Sequence, residues 1–288
     1  MIINQNQKGM KTLIYFLSLF LVSGSLQAQT GTLESYLLMN PSDIIPASSS
    51  DQVYDVTLKW QNLDAINGNH FNCNVLTANY IVGSNHDSVR WNNVRLGQIR
   101  DFAQQEYETS SLHALNGFTY QANSAEFLKE NFYRDISADQ RDLVKWLVSD
   151  AAQMQGLANY IFDSLEFNRE LYPTLLNDYD IEFEDWVTFS SRYQKLIWSG
   201  ITRYNGEPCA MVRFESLYNP VKIDNDQMKV SGRSLYYGEM WISLTDKQVE
   251  YASMVEDVVF KLGSSLFPDE QLVDLQREVI FDKSAVLQ

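Results

Sequence analysis

The sequence predicts an α+β fold: a large curved antiparallel β-sheet, laid out as a meander, with a long central helix packed on one face. Three observations carry this. Tyr54, Val56, Leu58 and Trp60 alternate with Asp55, Thr57, Lys59 and Gln61, the period of a half-buried antiparallel strand. Leu143, Leu147, Ala151, Met154, Ala158, Ile161 and Leu165 recur at spacings of three and four, one apolar stripe along a long helix. After Pro173 the chain returns to alternating segments joined by short polar loops, which is the pattern of a meander.

The chain opens on a different kind of segment. Lys8 and Lys11 precede the apolar run Leu13–Val22, and Ser23, Gly24 and Ser25 lead to Leu26-Gln27-Ala28. The run is too short for a bilayer core, which takes roughly 20 residues. Positive, apolar and small-residue zones in that order make residues 1–28 a secretory signal cleaved near Ala28. No cysteine lies near the cleavage site to carry a lipid, and no later stretch is long and apolar enough to span a membrane. The expected location is periplasmic or secreted. The Leu26-Gln27-Ala28-Gln29 ending resembles signals of Bacteroidetes-type bacteria.

The full chain carries a net charge of −15, and loss of the two signal lysines takes this to about −17. Such a chain is repelled by nucleic acid and by anionic membrane surfaces. Aromatic residues make up 13%, more than a disordered chain carries, so the chain folds around a core. Residues 29–50, with the Pro- and Ser-rich Asn40–Ser50, read as a flexible tether. Residues 51–288 then form a single α+β domain: N-terminal strands at 51–100, a helical segment at 124–170, and the C-terminal meander at 181–284.

Within the first β region, Phe71, Cys73 and Val75 hold one phase and Leu76, Ala78, Tyr80 and Val82 the other, which predicts a bulge. The turn Ser84–Asp87 leads to a strand near Val89–Ile99. Ser137-Ala138-Asp139-Gln140 has the form of a capping box at the start of the long helix. A shorter helix is expected before it, near Ala125–Arg134. In the second β region Ala210, Val212 and Phe214 alternate with Met211, Arg213 and Glu215. Strands are then expected at Met228–Arg233, Tyr236–Leu244, Val249–Leu262 and Leu272–Phe281.

Two charges interrupt the last two apolar faces. Glu256 shares a face with Ala252, Met254 and Val258, and Arg277 shares one with Val273, Leu275 and Val279. A hairpin closing symmetrically between those strands sets Glu256 opposite Arg277, where the charges cancel and fix register. The same pair could serve as a polar handle in a ligand cavity. Cys73 and Cys209 lie in different halves. A tentative disulfide and two buried thiols are both compatible with an exported chain.

Catalytic patterns are absent. No G-x-S-x-G elbow accompanies His113, which follows Ser110 and Ser111, and no H-E-x-x-H, Walker or G-x-G-x-x-G pattern occurs. His70 and Cys73 point to opposite faces of a strand, a poor start for a metal site. The acidic run Asn177–Asp185 lacks the glycine and the closing acid of a calcium loop and reads as a solvated face. No metal and no cofactor are predicted, and the sequence argues for binding over catalysis. The six tryptophans are core anchors or cavity walls, with Trp198 and Trp241 the candidates for ligand contact beside Glu256 and Arg277.

The run Gly238-Glu239-Met240-Trp241-Ile242-Ser243, followed by Val249-Glu250-Tyr251-Ala252, resembles a hairpin of periplasmic lipoprotein-carrier-like proteins. The resemblance covers about the last 100 residues and assigns no site residue. It implies a curved antiparallel sheet with helical cover that holds acyl chains. The expected role is therefore a non-enzymatic envelope protein that binds an apolar small molecule, an acyl chain or an envelope protein presenting one. The alternatives are a structural or accessory subunit of an envelope complex and a hydrolase of unfamiliar type.

Overall fold

The computed structural model describes residues 35–46, 51–83, 88–122, 127, 129–174, 179–183, 187–224, 228–264 and 267–284. The segment read as a signal lies outside the described residues. No described helix is long and apolar enough to cross a membrane.

Strands β1 (Gln52–Asp64), β2 (His70–Val82) and β3 (Val89–Gln98) form the first β region, followed by the short β4 (Ser110–Ser111) and β5 (Phe118–Tyr120). Helix α1 (Ala138–Gly156) continues through a π-turn at Leu157–Ile161 and a 3-10 turn at Phe162–Ser164. Then come β6 (Glu170–Leu171), β7 (Tyr179–Phe183), β8 (Val187–Ser191), β9 (Lys195–Tyr204), β10 (Glu207–Asp224), β11 (Met228–Ser243), β12 (Val249–Ser264) and β13 (Phe267–Lys283). All belong to one open antiparallel sheet of 13 strands, whose main path runs β4-β3-β2-β1-β13-β12-β11-β10-β8-β7. The α+β class and the single covering helix match the sequence reading.

The joint between the two β regions is β1 against β13, with Val56 opposite Phe281 and Trp60 opposite Arg277. The first and last long strands thus lie side by side, and α1 is the crossover linking the two halves of the sheet.

Registers line up across the sheet, so the helix-covered face is built in rows. One row runs Ala78, Val56, Phe281, Ala252, Met240, Val212. Two residues along each strand, the next is Leu76, Leu58, Val279, Met254, Gly238, Phe214. These side chains are buried, because period-two alternation brings every second residue of each strand to this face. Gly238 is required by close packing: a Cβ there would stand 2.0 Å from the Ser253 carbonyl and 2.6 Å from Phe214 Cζ.

Helix α1 lays Val144, Leu147, Val148, Ala151 and Met154 on those rows, and the stripe continues through Leu157, Ala158, Ile161 and Phe162 into the looser turns. Ser137 is the N-cap residue with an extended backbone, but its side chain makes no capping hydrogen bond and Gln140 Oε1 has no partner, so the expected capping box is not formed.

Several expectations change. Met228–Arg233 and Tyr236–Leu244 are one strand, because Ser234 and Leu235 stay paired with Val258 and Asp257. Residues 125–134 contain, where described, a 3-10 turn at Glu130–Tyr133 and no α-helix. The phase switch at Val75 and Leu76 is not a bulge against β1, whose register runs through it unbroken. Both side chains are fully buried, Leu76 under the helix and Val75 with Cys73 and Ile99 on the opposite face, so the sheet is covered on both sides there. In the tether, Pro41 and Ile44 are buried against the domain, with Asn40 capping the turn between them through Ser42 N–H at 3.2 Å.

Candidate functional site

A third row crosses the inner face and differs from the two apolar ones. Trp60, Arg277, Glu256, Tyr236 and Ser216 stand opposite one another on β1, β13, β12, β11 and β10. The β12–β13 pairing is symmetric from Tyr251–Asp282 to Leu262–Gln271, as expected, and sets Glu256 beside Arg277. Arg277 Nε donates to Glu256 Oε2, and Ser234 Oγ donates to Glu256 Oε1 at 2.5 Å.

The helix supplies a third charge. Asp150 accepts from Arg277 through both oxygens, Nη1 to Oδ2 at 3.0 Å and Nη2 to Oδ1 at 2.9 Å, a bidentate fork. Trp146, one turn earlier on the same helix face, stacks over the guanidinium at 5.6 Å and meets Trp60 edge-on at 6.3 Å. Asp150, Glu256 and Arg277 are 6%, 8% and 9% exposed. The cluster is therefore two carboxylates around one guanidinium in an apolar setting, with a formal charge of minus one.

Burial raises the Asp150 carboxyl above its ordinary value; Arg277 pulls it back by charge and hydrogen bonding, and Glu256 adds to the rise. Burial alone would lower Arg277, but the two carboxylates outweigh it and hold the guanidinium charged. Asp150 escaped the sequence reading, although a signal for it exists. It sits three residues after Leu147 and four before Met154, on the apolar stripe itself.

Next to Asp150 lies a cavity of about 20 Å³ between α1 and the sheet. Met154 and Leu157 of the helix and Phe214, Met240, Met254 and Phe281 of the apolar rows wall it. It admits about one water molecule. Its three methionines are unbranched and readily repacked.

The other candidates fall elsewhere. Trp198 is fully buried on the inner face, donates Nε1–H to Gly200 O at 2.8 Å, and packs on Phe162 and Phe167. Trp241 is on the opposite face, packed on Tyr251 at 4.5 Å and meeting Tyr204 edge-on at 5.1 Å. The four residues chosen for ligand contact therefore do not share one site; the structure joins Glu256 and Arg277 only.

The tentative disulfide is not formed. Cys73 and Cys209 are both free and buried. Cys73 is on β2 and Cys209 on β10, five strand spacings apart in the sheet order, where a bridge needs Cα atoms within roughly 7 Å. Burial pushes the Cys209 thiol up to about 12, with Glu250 adding to the rise, so it stays protonated and unreactive.

His113 lies 3.5 Å from Ser111 Oγ on an exposed turn, and Asn116 contacts that hydroxyl at 3.2 Å. No catalytic acid is placed behind His113 by these contacts. Among the described residues no group of three metal-ligating side chains assembles. The side chains of Asp180 and Glu182 in the acidic run lie outside the described ones.

No protein-family model matches the chain, and no curated protein matches it. A solved structure titled for lipid–protein interactions in lipovitellin is similar over 84% of this chain at 10% identity and a TM-score of 0.39. The matched part is 26% of that protein, so the chain spans about a quarter of its length. A likeness this distant transfers no role.

Proposed function

We propose that this is an exported, non-enzymatic protein that binds apolar or acylated ligands, with residues 51–288 as its binding domain. The inner face of the sheet is the ligand face, and α1 occupies it when no ligand is present.

The observation that carries this reading is the polar character of the helix-to-sheet contact. Asp150 is buried on the sheet-facing stripe of α1, and Gln140 Oε1, at the head of the same stripe, is buried without a hydrogen-bond partner. A helix meant to stay in a core gains nothing from such groups, since each buried unsatisfied polar atom costs ~1–3 kcal/mol. Contacts of this mixed kind resemble those of parts that move relative to each other. Beneath the helix, the apolar rows extend over six strands, a surface suited to an extended chain.

Native mass spectrometry after mild purification, with displacement of an apolar dye by fatty acids, checks the proposal. Co-purified ligand or dye displacement is the expected outcome. Protein that is always ligand-free and never exchanges dye for fatty acid sinks it.

One observation favours a second reading, an accessory subunit of an envelope complex. The 20 Å³ cavity is far too small for an acyl chain unless α1 moves. A helix that stays seated under all ligands leaves that reading in possession.

A further inference from the structure

We infer that Arg277 is a carboxylate-binding site, that Asp150 fills it in place of a ligand headgroup, and that the ligand is an acyl chain ending in a free carboxylate. The inference rests on the inner face being the ligand face.

The argument begins with charge. Arg277 and Glu256 belong to neighbouring strands and neutralise each other through one N–H of the guanidinium. The remaining edge of the guanidinium, Nη1 and Nη2, points away from Glu256 to a carboxylate that belongs to the movable element. A planar fork of two parallel N–H groups matches any carboxylate equally well. When an apolar chain takes the helix's place, those two donors are covered but unpaired, which is costly. A ligand carboxylate replaces Asp150 atom for atom and leaves the local charge unchanged; an alcohol, ester or hydrocarbon end does not.

The path of the chain follows from the rows. Asp150 itself lines the small cavity, so the headgroup position and the apolar cavity are continuous. From Arg277 the rows of Val279 and Phe281 lie two and four residues along β13, which is about 13 Å of strand. Met240 and Met254 flank that path and can repack around a chain. Trp146, one helical turn from Asp150 on the side away from Met154, covers the guanidinium, and Trp60 flanks it across the β1–β13 pair, so the apolar way out from the fork is along Val279 and Phe281.

The test compares dodecanoate with dodecanol by displacement of an apolar dye and by titration calorimetry. Three forms of the full mature protein are used: the natural sequence, Asp150→Asn, and a charge-free form carrying Asp150→Asn, Glu256→Gln and Arg277→Gln. A thermal melt confirms that each is folded. The natural protein should bind dodecanoate ~10-fold or more tighter than dodecanol, the scale of hydrogen bonds to a charged group. Asp150→Asn removes the internal competitor and loosens the helix for both probes, so it should widen the preference for dodecanoate over dodecanol by a further ~10-fold. The charge-free form should bind the two alike. Should the variants fail to fold, the comparison of the two probes on the natural protein decides.

Dodecanoate and dodecanol binding equally to every folded form overturns the headgroup site and leaves the apolar ligand face standing. Neither probe binding to the natural protein or to Asp150→Asn overturns both.

Discussion

Two buried ion clusters among the described residues are alike in composition and differ in what they join. At the end of the sheet, Lys283 of β13 donates to Glu250 of β12 and, at 2.7 Å, to Gln248 beside it. Every member belongs to the β12–β13 strands or the turn before them, and Lys283 keeps 15% side-chain exposure. On the inner face, Arg277 is shared between Glu256 of the sheet and Asp150 of the helix, at 11%, 10% and 4% side-chain exposure. The first is neutral and ties strand to strand. The second carries an extra acid and ties a strand to a separate element. A salt bridge within the sheet fixes register, whereas one across the helix–sheet contact sets where the helix sits and can be exchanged for something else.

The largest effect separates the two clusters by stability. Arg277→Ala leaves Asp150 and Glu256 buried without a counter-charge and should lower unfolding free energy by ~3–5 kcal/mol. Lys283→Ala strands one buried carboxylate, Glu250, instead of two, and should lose about half as much. Urea denaturation of both reads the difference directly, and equal losses break the comparison. Gly238→Ala probes the apolar rows beside the inner cluster. Its methyl group has no room against the Ser253 carbonyl and Phe214, so ~1–3 kcal/mol should be lost in the same titration.

Asp150→Asn should act locally. The Arg277–Glu256 pair stays in place, so amide exchange in β12 and β13 should hardly change, while exchange along Val144–Leu157 should speed up several-fold. If both regions speed up together, the helix and sheet are one cooperative unit and the distinction is lost.

The smallest effect is on pH dependence. Burial raises the Asp150 carboxyl, so between its ordinary value and the raised one the folded state binds more protons than the unfolded state. Its contribution to stability is therefore fully present below the ordinary aspartate value and is lost as pH rises through the raised one. On acidification from neutrality, the natural protein should gain stability relative to Asp150→Asn, which cannot titrate there. Paired melts at pH 7 and pH 4.5 measure this, and a gap that moves the other way contradicts the assigned shift.

The sequence showed the local parts of this design and missed the distant ones. Alternation at Tyr54–Gln61, the stripe from Leu143 to Leu165, and the opposed positions of Glu256 and Arg277 are readable because each depends on residues near in sequence or joined by one hairpin. The pairing of β1 with β13 is not readable, since its partners lie over 200 residues apart and many strands could have met β1. The continuity of β11 through Ser234 was hidden by glycine and serine, which read as punctuation but here serve close packing and the bond to Glu256. Val75 looked out of phase because alternation assumes one wet face, and there the sheet has none. Asp150 was visible on the stripe, but an acid among helical polar residues looks solvated until its partner on another element is known. Trp198 and Trp241 were both offered for ligand contact, yet they pair with Val212 and Met211, adjacent residues of β10 that point to opposite faces.

Amide hydrogen exchange with and without saturating dodecanoate tests the central claim, that α1 is a replaceable occupant of the inner face, most directly. The account predicts faster exchange along Val144–Leu157 when dodecanoate is bound, with β11, β12 and β13 as protected as before or more so. Unchanged protection of α1 at saturation contradicts it.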